Sequence, residues 1–231
     1  MRIEIWSDVV CPWCYIGKRR LEAALEGFEH RDEVEVVWRS FQLDPTAPTE
    51  PTEKVAELLG RRYGGGPEAG AQMVAQVQQV AAEVGLDFSR HGEALHVNTV
   101  DAHRLLHAAG ERRGELEEAL LHAYFVEARN VGDHDVLVDV ATSVGLDADE
   151  ARAVLSSAAH ADEVAADVAQ AAAHGATGVP FFVVDGRYGI SGAQPTEVFA
   201  QVLEQAWAER APLTMVSPDG APGCDGDVCA T

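Results

Sequence analysis

Cys11 and Cys14 are the residues of this chain best suited to covalent chemistry. They stand three apart in "SDVVCPWCYIGKRRLE", Ser7 to Glu22, with Pro12 and Trp13 between them. A close dithiol can bind a metal, close a structural disulfide, or exchange disulfides with other molecules. The elements around it help to decide. Arg2 to Ser7 reads as a short strand, with Ile3 and Ile5 on one face. A helix is expected to start near Cys11, because Pro12 suits a first helical turn and Ile16, Leu21, Leu25 and Phe28 continue a helical spacing. Cys11 then lies at a helix N-terminus, where unpaired N–H groups and the positive end of the macrodipole favour a thiolate. Cys14, one turn further in, is expected to be more buried and less acidic. In exchange chemistry Cys11 would attack, and Cys14 would resolve the mixed disulfide.

The whole chain sets bounds on this chemistry. Its 231 residues are 47% hydrophobic and 24% charged, enough for a sizeable core. A net charge of −21 argues against nucleic acid and anionic membranes as partners, since both need positive patches. No long apolar run is visible, so no transmembrane helix is expected. The opening "MRIEIW" moves straight into strand-like residues, so no signal peptide is expected and the default location is cytoplasmic. Four cysteines in two pairs, Cys11/Cys14 and Cys224/Cys229, are too few for a disulfide-stapled scaffold.

Along the chain, "VEVVWRSFQL" gives a second strand, so the first part reads β-α-β. From about Pro51 to Gly145 only helical stripes follow. Met73, Val77, Val80 and Val84 share a face, with Gly85 able to end that helix. Ala102, Leu105, Leu106 and Ala109 make another stripe, Leu116, Leu120, Ala123 and Tyr124 a third, and Val136, Leu137, Val140 and Val144 a fourth. Asp147 with Glu150 has the spacing of a capping box. Asp162 to His174 is a further helix, closed by Gly175. Strand signal returns at "VPFFVVDGRYGISG", where Asp185-Gly186 predicts a hairpin turn. A last helix carries Val198, Phe199, Val202, Leu203 and Ala206 inward. The order is β-α-β, a helical insert, then α-β-β-α, which without the insert is the order of a thioredoxin fold.

With these residues in place, the chain resembles the DsbA-like thioredoxin-fold oxidoreductases, most closely their FrnE-type branch. The resemblance is carried by "SDVVCPWCYIGKRRLE", "NTVDAHRLLHAA" from Asn98, "HAYF" from His122, "GVPFFVV" from Gly178 and "GAQP" from Gly192. It implies an α/β thioredoxin fold with an inserted all-helical domain, and dithiol–disulfide exchange. The expected division is 1–46 and 150–210 for the thioredoxin fold, 47–149 for the helical insert, and 211–231 for a flexible tail. The resemblance also implies a cis Pro180 beside the dithiol, presenting the Val179 backbone to an extended substrate segment.

Supporting residues follow from the same reading. Pro12 and Trp13 would restrict the loop and supply apolar surface. Thioredoxin proper has a buried aspartate where this chain has Ile5. Asp8 is nearer to Cys11 and is read as the helix N-cap, with proton relay to or from Cys14 as the alternative. His103 and His107, four apart, and nearby His96 are read as packing or cleft groups rather than a metal site, because the rest of a ligand set is missing. Cys224 and Cys229 could relay electrons to Cys11 from a tail with a reach of about 20 Å, or be incidental.

The expected partners are disulfide- or thiol-containing proteins or small molecules, with no cofactor other than glutathione as a substrate or reductant. Two other functions compete. Kappa-class glutathione transferases and hydroxychromene-carboxylate isomerases share the fold family, but typically have serine where this chain has Cys11. A zinc-binding structural or interaction protein could use all four cysteines, but the strand-to-helix position and Pro-Trp spacer suit redox chemistry better.

Overall fold

The computed structural model describes residues 1–210. Its centre is a four-stranded sheet in the order β2-β1-β3-β4. Strand β1 (Arg2–Ser7) runs parallel to β2 (Glu35–Ser40) and antiparallel to β3 (Phe181–Val184), which pairs antiparallel with β4 (Tyr188–Ser191). Ile5 lies opposite both Trp38 and Phe182, which fixes the register across the middle of the sheet.

The two-residue period of the strands sorts side chains between two helical layers. Helices α1 (Pro12–Glu26) and α9 (Thr196–Ala208) cover one face. There Ile3, Ile5, Phe182 and Val184 pack against Leu21, Phe199 and Leu203. Each such fully buried side chain contributes about 1.5–3 kcal/mol. The other face carries Trp6, Phe181 and Val183 toward Ala171 of α8 (Ala161–Ala173). Trp6 Nε1 also donates to the Asp167 carbonyl at 2.8 Å, which satisfies the one polar group of a fully buried ring. The β3–β4 connection places Asp185 at φ 49° and Gly186 at φ 66°, as the Asp-Gly turn requires.

Between β2 and α8 come six helices: α2 (Val55–Arg62), α3 (Gly66–Glu83), α4 (Val100–Ala108), α5 (Arg113–Phe125), α6 (His134–Ser143) and α7 (Ala148–Leu155). Their core includes Phe88, Leu105, Leu120, Tyr124, Phe125 and Leu137. Tyr15 and Ile16 of α1 enter the same core, so the helical part and the dithiol helix share one interior. Asp147 caps α7, accepting from the amides of Asp149 and Glu150 at 2.8 and 3.0 Å. The expected boundary at 149/150 falls inside α7, which packs on α4 and α6 and so stays with the helical part. Helices α2 and α3 are pressed together at Gly70, where a Cβ would stand 1.9 Å from the Ala56 carbonyl oxygen.

Candidate active site

Cys11 ends the loop from β1 and is the N-cap residue of α1, with extended backbone (φ −90°, ψ 114°). Its amide donates to the Asp8 carbonyl at 2.9 Å, and the Cys14 amide donates to the Cys11 carbonyl at 3.0 Å. Pro12 begins the helix, where it gives up no hydrogen bond. Both cysteines are free thiols and almost wholly buried, Cys11 at 3% and Cys14 at 2% exposure. Burial raises the Cys14 pKa well above the ordinary thiol value, and the adjoining Cys11 sulfur adds to the rise. The Asp8 backbone and the Ser7 hydroxyl oppose it without cancelling it.

The Val179–Pro180 bond is cis. The Cys11 thiol donates to the Val179 carbonyl at 3.5 Å, so a loop more than 160 residues away in sequence touches the first cysteine. Close approach of α1 makes this contact possible. A Cβ at Gly17 would lie 3.1 Å from Pro180 Cγ and 3.2 Å from Phe182 Cζ, so only glycine leaves both groups in place. Trp13 is 41% exposed and stands at the mouth of a cleft of about 440 Å³. Cys11, Pro12, Val179 and Asp8 also line that cleft. Its far wall is formed by α2 and α3.

Asp8 departs from the N-cap expectation. The N-cap of α1 is Cys11, with no side-chain cap bond. Asp8 instead points into the interior, where it is 1% exposed. One carboxylate oxygen accepts from the Leu43 amide at 2.8 Å, and the other faces His103 Nε2 at 3.4 Å. The cap reading failed because this carboxylate has a partner 95 residues away that no local pattern reveals.

Several polar groups at the site were missed in the sequence. Ser7 Oγ donates to Glu117 Oε1 at 2.6 Å, with both residues buried. Burial raises the Glu117 pKa, and the Ser7 hydrogen bond only partly offsets this. His107 pairs with Asp167 at 3.0 Å, and the Ser40 amide and Arg113 also reach that carboxylate. Thus the two histidines four apart on α4 each meet an aspartate from the sheet side of the molecule. Their i, i+4 spacing was the available signal that they share a face. His96 is hydrogen-bonded to Asp44 at 3.2 Å and lines the cleft. Among the described residues, no group of three or more His, Cys, Asp or Glu side chains is placed to hold a metal. Cys224 and Cys229, and the tail expected over 211–231, lie outside the described residues.

Among the described residues no helix is long and apolar enough to cross a membrane. The family model for the DSBA-like thioredoxin domain matches residues 2–204. The structure is similar to a probable DsbA oxidoreductase from Streptomyces coelicolor, at 49% identity and a TM-score of 0.88, covering 96% of this chain and 100% of that one. The uncharacterised protein YwbO of Bacillus subtilis is 28% identical over 206 residues, covering 88% of this chain and 96% of the relative. The cytosolic disulfide reductase DsbM of Pseudomonas aeruginosa, in a structure with GSH, shares the fold at 18% identity and a TM-score of 0.58, over 90% of this chain and 100% of that one. With a free dithiol at a helix start, a cis proline beside it and this match over most of its length, the chain belongs to the DSBA-like thioredoxin-domain family.

Proposed function

We propose that this protein is a thiol–disulfide oxidoreductase of the FrnE-type branch, acting in the cytoplasm through the Cys11/Cys14 dithiol. The observation that carries the reading is the placement of two free thiols at the start of α1, with Cys11 against the Val179 carbonyl at the mouth of a cleft. A helix N-terminus supports negative charge on Cys11 sulfur. Burial keeps Cys14 protonated until it is needed. In the reductive direction the Cys11 thiolate attacks one sulfur of a substrate disulfide, and the other leaves as a thiolate. Cys14 then gives up its proton and attacks Cys11 sulfur, which releases the second substrate thiol and leaves an enzyme disulfide. The reverse sequence oxidises a dithiol substrate. Pro180, itself buried and joined to Val179 by the cis bond, holds the Val179 backbone where an extended substrate segment can align with it.

The test is reduction of insulin by the full chain with dithiothreitol as electron donor. Cys11→Ser is expected to lose the catalysed rate, and Cys14→Ser to accumulate a mixed disulfide at Cys11. A Cys11→Ser variant as active as the parent would sink the assignment.

A further inference from the structure

Cys14 must lose a proton to resolve a mixed disulfide, and its burial opposes that loss. In the free dithiol the Cys11 sulfur is a hydrogen-bond partner of the Cys14 thiol. A Cys11 that carries a substrate sulfur has no negative charge with which to draw that proton. A second side chain that meets Cys14 is the Ser7 hydroxyl, at the end of β1. Asp8 meets Cys14 through its backbone, while its carboxylate is turned to Leu43 and His103.

Ser7 leads from the dithiol to Glu117 on α5. Its Oγ donates to Glu117 Oε1 at 2.6 Å, and the two residues are 1% and 2% exposed. With its own proton given to the carboxylate, Ser7 Oγ keeps lone pairs that can accept from the Cys14 thiol. Burial is the largest influence on Glu117 and raises its pKa. The Ser7 hydrogen bond, His103 on α4 and Arg113 one turn back on α5 oppose the rise, and Asp8 adds to it. Arg113 is itself held by Asp167 of α8 and Ser40 of β2. The raised pKa brings this acid nearer to a thiol in proton affinity than an ordinary surface glutamate, which suits it to exchange a proton with one.

We infer that Glu117 receives the Cys14 proton through the Ser7 hydroxyl as Cys14 attacks, so that the helical part of the chain supplies the base for the resolving step. This inference rests on the dithiol exchange proposed above. In that step the Cys14 S–H proton moves to Ser7 Oγ while the Ser7 proton moves to Glu117 Oε1. The Cys14 sulfur bonds to the Cys11 sulfur, and the bond from Cys11 to the substrate breaks. Its electron pair leaves on the substrate sulfur, which takes a proton from water. Glu117 ends protonated beside Ser7. When a dithiol reductant opens the enzyme disulfide, Cys14 leaves as a thiolate and takes a proton back along the same path. Ser7 touches the reacting sulfur, and Glu117 acts through Ser7.

The experiment separates attack from resolution. The probe is 4,4′-dithiodipyridine, mixed by stopped flow with the reduced full-length chain in which Cys224→Ser and Cys229→Ser leave only the dithiol to react. The first thiopyridone released reports attack by Cys11. The second reports resolution by Cys14, in a phase independent of probe concentration. With both dithiol residues and Glu117 in place, the second phase is expected to change little from neutral pH upward, because Glu117 takes the proton. Unaided ionisation of a thiol held protonated would make it rise about tenfold per pH unit. Glu117→Gln still offers Ser7 an oxygen but accepts no proton. It should slow the second phase about 100-fold at neutral pH and give it that steep rise. Ser7→Ala should do the same with Glu117 present, and the double variant should be no slower than either single one. Thermal melting shows whether each variant is folded. A purely structural tie between α5 and β1 predicts the reverse for Glu117→Gln, since loss of a buried negative charge eases ionisation of Cys14. An equal or faster second phase in the folded variant would therefore overturn the inference. So would a steep rise with Ser7 and Glu117 both intact, a result that needs no variant of either to fold. If no thiopyridone is released from Cys11, the exchange reading itself fails instead.

Discussion

Asp8 and His103 face each other at 3.4 Å in the interior, each with a side chain about 1% exposed, and they join the strand end beneath the dithiol to helix α4. The second Asp8 oxygen holds the Leu43 amide, and Leu43 forms part of the cleft mouth. Removing this carboxylate leaves a buried imidazole and a buried amide without their partner. Asp8→Ala is therefore expected to cost about 3 kcal/mol, beyond the ~1 kcal/mol typical of a lost helix cap. Urea unfolding measures it, and a loss below about 1 kcal/mol would show that the buried contacts of Asp8 with His103 and Leu43 contribute little to stability.

The two thiols should differ in reactivity although both are nearly buried. Cys14 is held protonated by desolvation and by the neighbouring Cys11 sulfur, while Cys11 occupies the helix start. Iodoacetamide at neutral pH is expected to label Cys11 first, as read by peptide mass spectrometry. In Cys11→Ser, labelling of Cys14 should be slow and should keep rising with pH beyond the ordinary thiol range. Faster labelling of Cys14 in the parent would reverse the assigned roles.

The parts legible in the sequence were those with a local cause. Strand alternation, Pro12 after Cys11 and Asp185-Gly186 each act within a few residues, and β1, α1 and the β3–β4 hairpin follow from them. Pro180 was legible through the family resemblance. Helix α2 was not picked out as an apolar stripe. It has eight residues, and its close seat on α3 depends on Gly60 and Gly70, which are poor helix formers by themselves. The cleft wall it forms was therefore invisible. The buried polar pairs were equally hidden. Glu117 lies in "GELEEALL", where an acidic residue reads as solvated surface, and its Ser7 partner is 110 residues distant. Tertiary burial, not local pattern, decides such pairs.

Glu118, next to that buried glutamate, does a different job. It receives the Tyr15 hydroxyl at 2.6 Å together with Lys18 and Arg19, and so ties α5 to α1. Burial alone would raise its pKa, but Arg19, Lys18 and Tyr15 overcome this and hold it at about 2. A carboxylate with a lowered folded pKa adds stability above its unfolded value, and the gain disappears as pH falls through the folded value. Glu118→Gln should thus cost about 1–2 kcal/mol at neutral pH, after allowance for solvent screening at a partly exposed site. The difference from the parent should fade between about pH 4.5 and pH 2. Paired urea titrations across that range check it, and a pH-independent difference would mean that the charges do not carry the contact.

Gly70 offers the sharpest packing test. A methyl group there would meet the Ala56 carbonyl oxygen at 1.9 Å and the Gly60 amide nitrogen at 2.8 Å, both backbone atoms that cannot rotate aside. In an ordinary exposed helix Gly→Ala would stabilise by about 1 kcal/mol. Here α2 must move off α3, and overpacking of this kind costs about 1–3 kcal/mol. Gly70→Ala is expected to lower stability despite its better helix propensity. Because α2 and α3 form the cleft wall opposite the dithiol, the same variant should weaken saturation by disulfide substrates that enter the cleft and leave the alkylation rate of Cys11 near that of the parent. Thermal melting and substrate saturation curves read the two effects separately. A stabilised Gly70→Ala protein would show that the α2–α3 contact is looser than the structure gives it.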